Sequence, residues 1–329
     1  MIQRSLKVLL LLILASTLMA FASPAHADPE EVIVAVIDTG ADLLHTDIKN
    51  NLWVNSGEIP DNGIDDDANG LADDFHGWNF SHHNSDLKDQ NGHGTHIAGI
   101  IAGLDGKREQ HIKLMILKYY DASAPGMSNL LSSVEAIRYA IKMGAKIINY
   151  SGGGPFAVAE ERQAVAEAEK AGVLFIAAAG NERSNSDIFH YYPADYPYSN
   201  ILSVTAHDKD GKILPSSNFG ASTVDTAALG KDVLSSLPGG RRGQMTGTSQ
   251  ATANASSLAA RLLLARPDLK TPKEIIDLIS LTGTYSDDLV GKTRFNSMLN
   301  FERAMQMHDM PIITQVTQIK SSLYTSSID

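Results

Sequence analysis

The sequence predicts an α/β protein with a doubly wound, mostly parallel sheet and helices on both faces. From residue 31 onward, short apolar runs alternate with longer segments of helical period. No internal repeat and no Pro- or Ser-rich linker divides this region, so alternating β and α elements indicate one layered domain, at residues 28–307. With 329 residues, 43% of them hydrophobic, the chain is long enough to bury such a core.

The predicted elements follow one another regularly. Each strand is a run rich in apolar residues, as in strands buried on both faces, and each helix repeats apolar residues every three or four positions. In chain order we predict strand 32–37, helix 93–103, strand 113–118, helix 129–143, strand 146–150, helix 157–171, strands 173–178, 201–205 and 223–227, and helix 252–265. A polar loop at 55–85 and a Ser- and Thr-rich tail of unknown role at 308–329 interrupt this pattern.

The first residues predict the compartment. Two basic residues precede an apolar run at 8–22, and the small residues at 25 and 27 fit a cleavage site. This pattern is typical of a secretory signal peptide, here residues 1–27, and predicts a secreted or periplasmic protein whose mature chain begins at Asp28. The alternative is an uncleaved membrane anchor, although the run is shorter than the ~20 residues of a spanning helix. We expect no stable membrane insertion after cleavage.

Charge and cysteine content exclude several classes. The chain has 27 Lys and Arg residues against 38 Asp and Glu residues, a net charge of −11. An excess of acid repels phosphate backbones, so we expect no nucleic-acid partner. The chain contains no cysteine, which excludes disulfide bonds and thiolate metal sites.

Three motifs carry side chains that are suited to catalysis. The first strand ends in AVIDTG, which places Asp38 at a carboxyl strand end, where sites form in open sheets. The sequence NGHGTHIAG sets His93 between two glycines at a helix start. The sequence MTGTSQATA puts Ser249 before a helix of small residues, whose N-terminus favours negative charge. Taken singly, these could be a turn cap, a structural histidine and a helix N-cap.

Together and in this chain order, the motifs resemble those of the subtilisin-like serine proteases over residues 32–265. The resemblance implies that Ser249 is the nucleophile, that His93 is the general base and then acid, and that Asp38 orients and stabilises the imidazole. It also implies that Asn181 and the Ser249 N–H bind the oxyanion, whereas the alternative for Asn181 is a plain turn residue. Together with the predicted signal peptide, the resemblance leads us to expect a secreted endopeptidase whose partners are polypeptide substrates, and we expect it to be a monomer.

Members of this family bind an extended substrate as an added strand between two backbone segments. The substrate-binding residues that the resemblance implies are Gly126, Met127, Ser151, Gly152, Gly153, Ala178 and Gly180. Gly152 stands where the family has a larger apolar residue, so we expect a wider inner pocket. The small residues of the primary pocket favour a broad or hydrophobic preference.

An acidic loop at 61–74 holds six carboxylates and no basic residue, so its charges repel one another unless a cation lies between them. Its alternating oxygen ligands resemble the start of an EF-hand, but His76 stands where the last ligand would be Glu. We expect a structural Ca²⁺; the alternative is a solvated loop. The candidate ligands in the loop are Asp65, Asp67, Asn69 and Asp73. Asp47, outside it, matches a position that often ligates calcium in the family.

Three departures from the family pattern are visible. Asp38 lies ten residues after Asp28, so we expect no prodomain between the signal peptide and the protease. Gln250 and Asn254 replace the Met and Pro that are usual near the nucleophile. The main alternative function is therefore a secreted calcium-binding or adhesion module on an inactive protease scaffold, and peptide ligation is a minor variant of the reaction.

Overall fold

The structure is built around a nine-stranded sheet. The computed structural model describes residues 31–104 and 108–307. The predicted signal peptide and the tail at 308–329 lie outside these residues. The strands are β1 Val32–Asp38, β2 Gly77–Asn79, β3 Ile112–Lys118, β4 Ile147–Tyr150, β5 Leu174–Ala178, β6 Ile201–His207, β7 Thr226–Leu229, β8 Val233–Leu237, β9 Arg241–Met245, β10 Thr284–Tyr285 and β11 Ser297–Met298.

Within the described residues the sheet order is β10-β11-β7-β6-β5-β4-β1-β3-β2, and β8 and β9 form a separate hairpin. Every neighbouring pair in the large sheet is parallel except β10 and β11. Because β3, β1, β4 and β5 are adjacent and parallel, their carboxyl ends meet at one edge of the sheet. The predicted α/β fold is confirmed.

Helices cover both faces of the sheet. They are α1 His93–Ala102, α2 Gly126–Lys142, α3 Ala159–Lys170, α4 Thr248–Ala265, α5 Pro272–Thr282 and α6 Phe301–Gln306. Alternate residues of β1 point to opposite faces, as the period of a strand requires. Val34 belongs to a buried cluster with residues of α1, α4, α5 and α6. Ala35 belongs to a second cluster with residues of α2 and α3.

Each predicted strand and helix overlaps an observed one, but two helices begin earlier than predicted. Helix α2 begins at Gly126 and α4 at Thr248, three and four residues before the predicted starts. Gly, Ser and Thr indicate loops in a sequence, yet all three residue types are tolerated at the first turn of a helix. This shift matters for the site, because Gly126 and Ser249 both lie in these first turns.

Candidate active site

Asp38 and His93 form a close pair at the sheet edge. Asp38 is the last residue of β1 and is buried. His93 is the first residue of α1, and its Nδ1 lies 2.8 Å from Asp38 Oδ1 and 3.0 Å from Oδ2. A carboxylate only accepts, so the proton of a neutral His93 lies on Nδ1 and Nε2 is left as the basic atom. Burial lowers the pKa of His93, but the charge and the hydrogen bond of Asp38 outweigh it and raise the pKa above its ordinary value.

The glycine after His93 brings two backbones together. A Cβ at Gly94 would lie 2.1 Å from the Gly40 carbonyl oxygen and 3.1 Å from Asp38 Oδ1. Any larger residue would therefore push the start of α1 away from the end of β1. Gly94 therefore allows the main chains of α1 and of the segment after β1 to lie in direct contact.

Asp89 is a positioning residue that the sequence analysis missed. It is buried, and its Oδ1 accepts hydrogen bonds from Thr39 Oγ1 at 2.9 Å and from the Asn91 and Gly92 N–H groups at 2.9 and 2.8 Å. Its Oδ2 accepts from Thr95 N at 2.9 Å and Thr95 Oγ1 at 2.6 Å. Asp89 thus holds both sides of His93. Its place four residues before a predicted helix start was the available signal, because acidic residues there satisfy free N–H groups.

Ser249 lies buried in the first turn of α4. Its Oγ donates a 3.2 Å hydrogen bond to the Ser151 carbonyl oxygen. As the second residue of the helix, Ser249 has an N–H group without an intrahelical acceptor. Asn181 is next to this turn, since its Oδ1 accepts from Thr248 N at 3.0 Å, and its Nδ2 group is left as a donor. Two donors and one hydroxyl therefore lie at the start of α4.

A buried polar network continues behind Ser249. Ser256 Oγ donates to Asn149 Oδ1 at 2.9 Å, and Asn149 Nδ2 donates to Ser151 Oγ at 3.0 Å. Asn149 is fully buried in β4 and is a second residue that the sequence analysis missed. An amide inside an apolar strand was its signal, because buried polar groups require partners. The network fixes the segment whose carbonyl accepts from Ser249.

The two unusual residues after Ser249 have structural partners. Gln250 is buried, with its Nε2 3.9 Å from Met245 Sδ. Asn254 Nδ2 donates to the Leu229 carbonyl oxygen at 2.9 Å. These contacts join α4 to β9 and β7.

A cavity of about 220 Å³ opens beside the Asp38–His93 pair. Its lining combines aromatic and small polar side chains: Asp38, Thr39, Asn91, His93, Tyr119, Tyr120 and Ser151. The two tyrosine rings give the cavity a partly apolar wall, and the other five side chains that line it are polar.

The predicted substrate-binding residues divide into two groups. Ser151, Gly152 and Gly153 follow β4, and Ala178 ends β5, so these residues share the edge that carries Asp38.

Gly126 and Met127 do not provide an extended edge, and this prediction was wrong. Both lie in the first turn of α2 after Pro125, where a helical backbone cannot pair with a strand.

The space beside Gly152 is filled rather than widened. A Cβ at Gly152 would lie 2.3 Å from the Tyr119 hydroxyl oxygen. Tyr119 stacks on Tyr150, with ring centroids 5.6 Å apart and an interplanar angle of 28°. The volume that a larger residue would occupy is therefore taken by Tyr119, and the expected wider pocket is absent at this position.

In the acidic loop, carboxylate oxygens of Glu58, Asp65 and Asp67 lie within 4.8 Å of one another. Glu58 is buried and was not among the predicted ligands. No ion pair links these three groups to a basic side chain within residues 31–104 and 108–307. Burial raises the pKa of Asp67, but hydrogen bonds from Asn55 and Asn69 lower it by more. The pKa therefore lies below its ordinary value and the carboxylate stays charged. Three close, uncompensated carboxylates fit a hard cation.

The other predicted loop residues are placed differently. Asp73 uses both oxygens to accept the Asn62 and Gly63 N–H groups, at 2.9 and 3.0 Å. Asn69 directs its Nδ2 group at Asp67 and Asp74, at 2.9 and 2.8 Å. Both residues shape the loop around the three carboxylates.

Asp47 does not belong to this cluster, and the prediction that it ligates calcium is corrected by its partners. Its oxygens accept from Arg242 Nε and Nη2 at 2.8 and 2.7 Å and from Arg108 Nη2 at 3.3 Å. The bond from Arg242 lowers the pKa of Asp47 against the effect of burial. Two guanidinium groups already neutralise this carboxylate and would repel a metal ion.

Comparisons with known proteins agree with this geometry. Residues 30–300 match the model of the subtilase family. An intracellular serine protease of Paenibacillus polymyxa is 34% identical over 263 residues, which cover 76% of this chain and 74% of the relative. The major intracellular serine protease of Bacillus subtilis (strain 168) is 31% identical, over 70% of this chain and 68% of the relative. The solved structure of a prenylagaramide maturation protease superposes with a TM-score of 0.65 at 26% identity, over 85% of this chain and 94% of that one.

The chain belongs to the subtilase family. It is a serine-type endopeptidase of the α/β fold that this family shares. Over the part of the chain that the structure describes, no helix combines the length and apolar character needed to cross a membrane.

Proposed function

We propose that the protein is an exported endopeptidase that hydrolyses peptide bonds through an acyl-enzyme on Ser249. The observation that carries this proposal is the 2.8 Å contact between Asp38 and His93 Nδ1, at the sheet edge where Ser249 Oγ reaches the Ser151 carbonyl. This contact leaves His93 Nε2 free to act as a base. The raised pKa of His93 favours the imidazolium that forms when it takes a proton.

Acylation begins when Ser249 Oγ attacks the substrate carbonyl carbon while its proton passes to His93 Nε2. The hydroxyl leaves its hydrogen bond with the Ser151 carbonyl by rotation about one side-chain bond. The developing oxyanion accepts hydrogen bonds from Asn181 Nδ2 and the Ser249 N–H. His93 then gives its proton to the leaving amine as the C–N bond breaks, which leaves the acyl-enzyme. Water next attacks the acyl carbon while His93 takes its proton, and His93 returns that proton to Ser249 Oγ as the acid product leaves.

Export is supported by the first residues. The basic start, the apolar run at 8–22 and the small residues before Asp28 are the parts of a secretory signal peptide. The two bacterial relatives described above carry names of intracellular enzymes, so location is a property to test in this chain. Expression in a secreting host should release a protein that begins at Asp28, and N-terminal sequencing checks this. Retention of residues 1–27 in membrane-bound protein would support an anchor instead.

We further propose that the acidic loop binds a structural Ca²⁺ through Glu58, Asp65 and Asp67. Calcium prefers six to eight oxygen ligands, and the loop also offers backbone carbonyls. Asp74 joins the loop to α2, because its Oδ2 accepts from Tyr139 Oη at 2.6 Å. The loop that would hold calcium is therefore already joined to a helix on the sheet.

A serine-directed fluorophosphonate probe tests the catalytic proposal. The purified mature chain should be labelled at one site, with and without Ca²⁺. Ser249→Ala should abolish labelling, whereas Ser222→Ala, at an exposed serine after β6, should not. Labelling that survives in Ser249→Ala would refute the assignment. A folded wild type that resists the probe under both conditions would favour the inactive binding scaffold.

A further inference from the structure

The ring of Tyr191 crosses the space between two backbone segments that were predicted to hold substrate. A Cβ at Gly153 would lie 2.5 Å from Tyr191 Cε1, and a Cβ at Gly180 would lie 3.1 Å from Tyr191 Cδ2. These two carbons are para to each other on the ring. The phenol therefore spans the gap from the segment after β4 to the segment after β5, and contacts both main chains.

Tyr191 is held firmly in this place. Its N–H donates to Asp195 Oδ2 at 2.8 Å, and its carbonyl accepts from Asp195 N at 3.0 Å. The next residue, Tyr192, makes two backbone hydrogen bonds with Gly154, at 2.8 and 2.9 Å. The Asp195 side chain is fully buried. The main chain at Tyr191 is therefore fixed, and the ring lies between Gly153 and Gly180 as a wall of the site.

Acidic groups surround the ring. The Glu182 carboxylate accepts from Asn218 Nδ2 at 2.7 Å and would lie 2.5 Å from a Cβ at Gly180. Burial raises the pKa of Tyr191, and the charges of Glu182 and Glu161 raise it further, so the phenol is neutral. An acidic side chain entering beside Gly180 would be repelled by Glu182.

We propose that Tyr191 fills the pocket for the side chain on the acyl side of the scissile bond, and that the enzyme consequently cleaves after small uncharged residues, namely Gly, Ala and Ser. This inference rests on the proposed function, because it takes Ser249 and Asn181 as the point at which the scissile carbonyl binds. It replaces the broad or hydrophobic preference that the small residues Ala178 and Gly180 suggest in the sequence. Tyr191 is 11 positions from Gly180 and 13 from Ala178, so only the fold shows that it occupies their space.

The test uses peptides with identical flanks that differ only in the residue before the cleaved bond: Gly, Ala, Ser, Leu, Phe or Glu. The wild type should show kcat/KM for Ala at least about 10-fold above that for Phe or Leu, since an overfilled pocket discriminates by about 10–200-fold. Tyr191→Ala should raise kcat/KM for the Phe peptide by about 10–100-fold. Tyr191→Phe, which keeps the ring, should retain the wild-type order.

Tyr285→Ala is the matched control, because this exposed tyrosine lies on β10 at the far edge of the sheet. It should leave the order unchanged. Active-site titration with the fluorophosphonate separates the two proposals. A wild type that is labelled but cleaves after Phe as readily as after Ala overturns the pocket inference alone, whereas an unlabelled wild type overturns the proposed function. If Tyr191→Ala does not fold, the wild type is used to digest a denatured protein and the cleaved bonds are identified. Frequent cleavage after Leu and Phe would refute the inference.

Discussion

Replacement of Asp89 measures how firmly the start of α1 is held beside Asp38. The buried carboxylate accepts five hydrogen bonds at 2.6 to 2.9 Å. A buried group that loses its partner costs about 1–3 kcal/mol. Asp89→Asn keeps the shape but turns one oxygen into a donor, so we expect a loss of about 2 kcal/mol in the free energy of unfolding. Asp89→Ala removes every acceptor, and we expect about 4 kcal/mol.

Urea unfolding should be measured in the Ser249→Ala background, so that self-digestion does not distort the transition. Asp86→Asn is the control, because Asp86 is exposed and its side chain accepts one hydrogen bond, from Lys88 N at 3.0 Å. It should change the free energy of unfolding by less than about 0.5 kcal/mol. In the active enzyme, Asp89→Asn should also lower kcat/KM by about 10²-fold, since a shift of His93 by about 1 Å has that effect. If Asp89→Asn and Asp86→Asn gave the same free energy of unfolding and the same kcat/KM, the positioning role of Asp89 would be refuted.

Three further outcomes are expected. Asp38→Asn should lower kcat by about 10⁴-fold. It should also move the rising limb of the pH–rate profile to lower pH, because the charge that raises the pKa of His93 is lost. A limb that stays at the same pH would contradict this. Asn181→Ala should lower kcat by about 10²–10³-fold with little change in KM, and a change confined to KM would indicate a turn residue instead. Chelation of Ca²⁺ should lower the Tm of the wild type but not of Glu58→Gln; calorimetry that shows equal shifts would argue against the loop site.

The layered fold was predictable because its signals are local. Each buried strand is a short apolar run, and helices α1, α3 and α4 carry their own periodicity. The β8–β9 hairpin was missed because β9 is mostly exposed and carries two arginines, so it lacks an apolar pattern. The short strands β10 and β11 hold two residues each and leave no periodic signal.

The site was predictable where a motif carries it and not where distant segments meet. Asp38, His93 and Ser249 each stand in a distinctive local sequence. Asp47 was assigned to calcium because it matches a calcium-ligating position of the family. Its partner Arg242 lies 195 positions away, so the local sequence could not indicate this contact. Gly126 was assigned to an extended segment by its resemblance to a family position, although in this chain it begins a helix.

The contact of Gly94 with Gly40 makes the spacing of the Asp38–His93 pair a property of the main chain. Asp38 and His93 are 55 positions apart in the chain, and the acidic loop lies between them. Since the two ends of this segment meet backbone to backbone and Asp89 fixes the residues around His93, the acidic loop at 61–74 can be lengthened, shortened or exchanged without moving the imidazole from the carboxylate. The loop is thus a place where new surface, new ligands or new regulation can be added to the enzyme while the proton-transfer geometry is inherited unchanged.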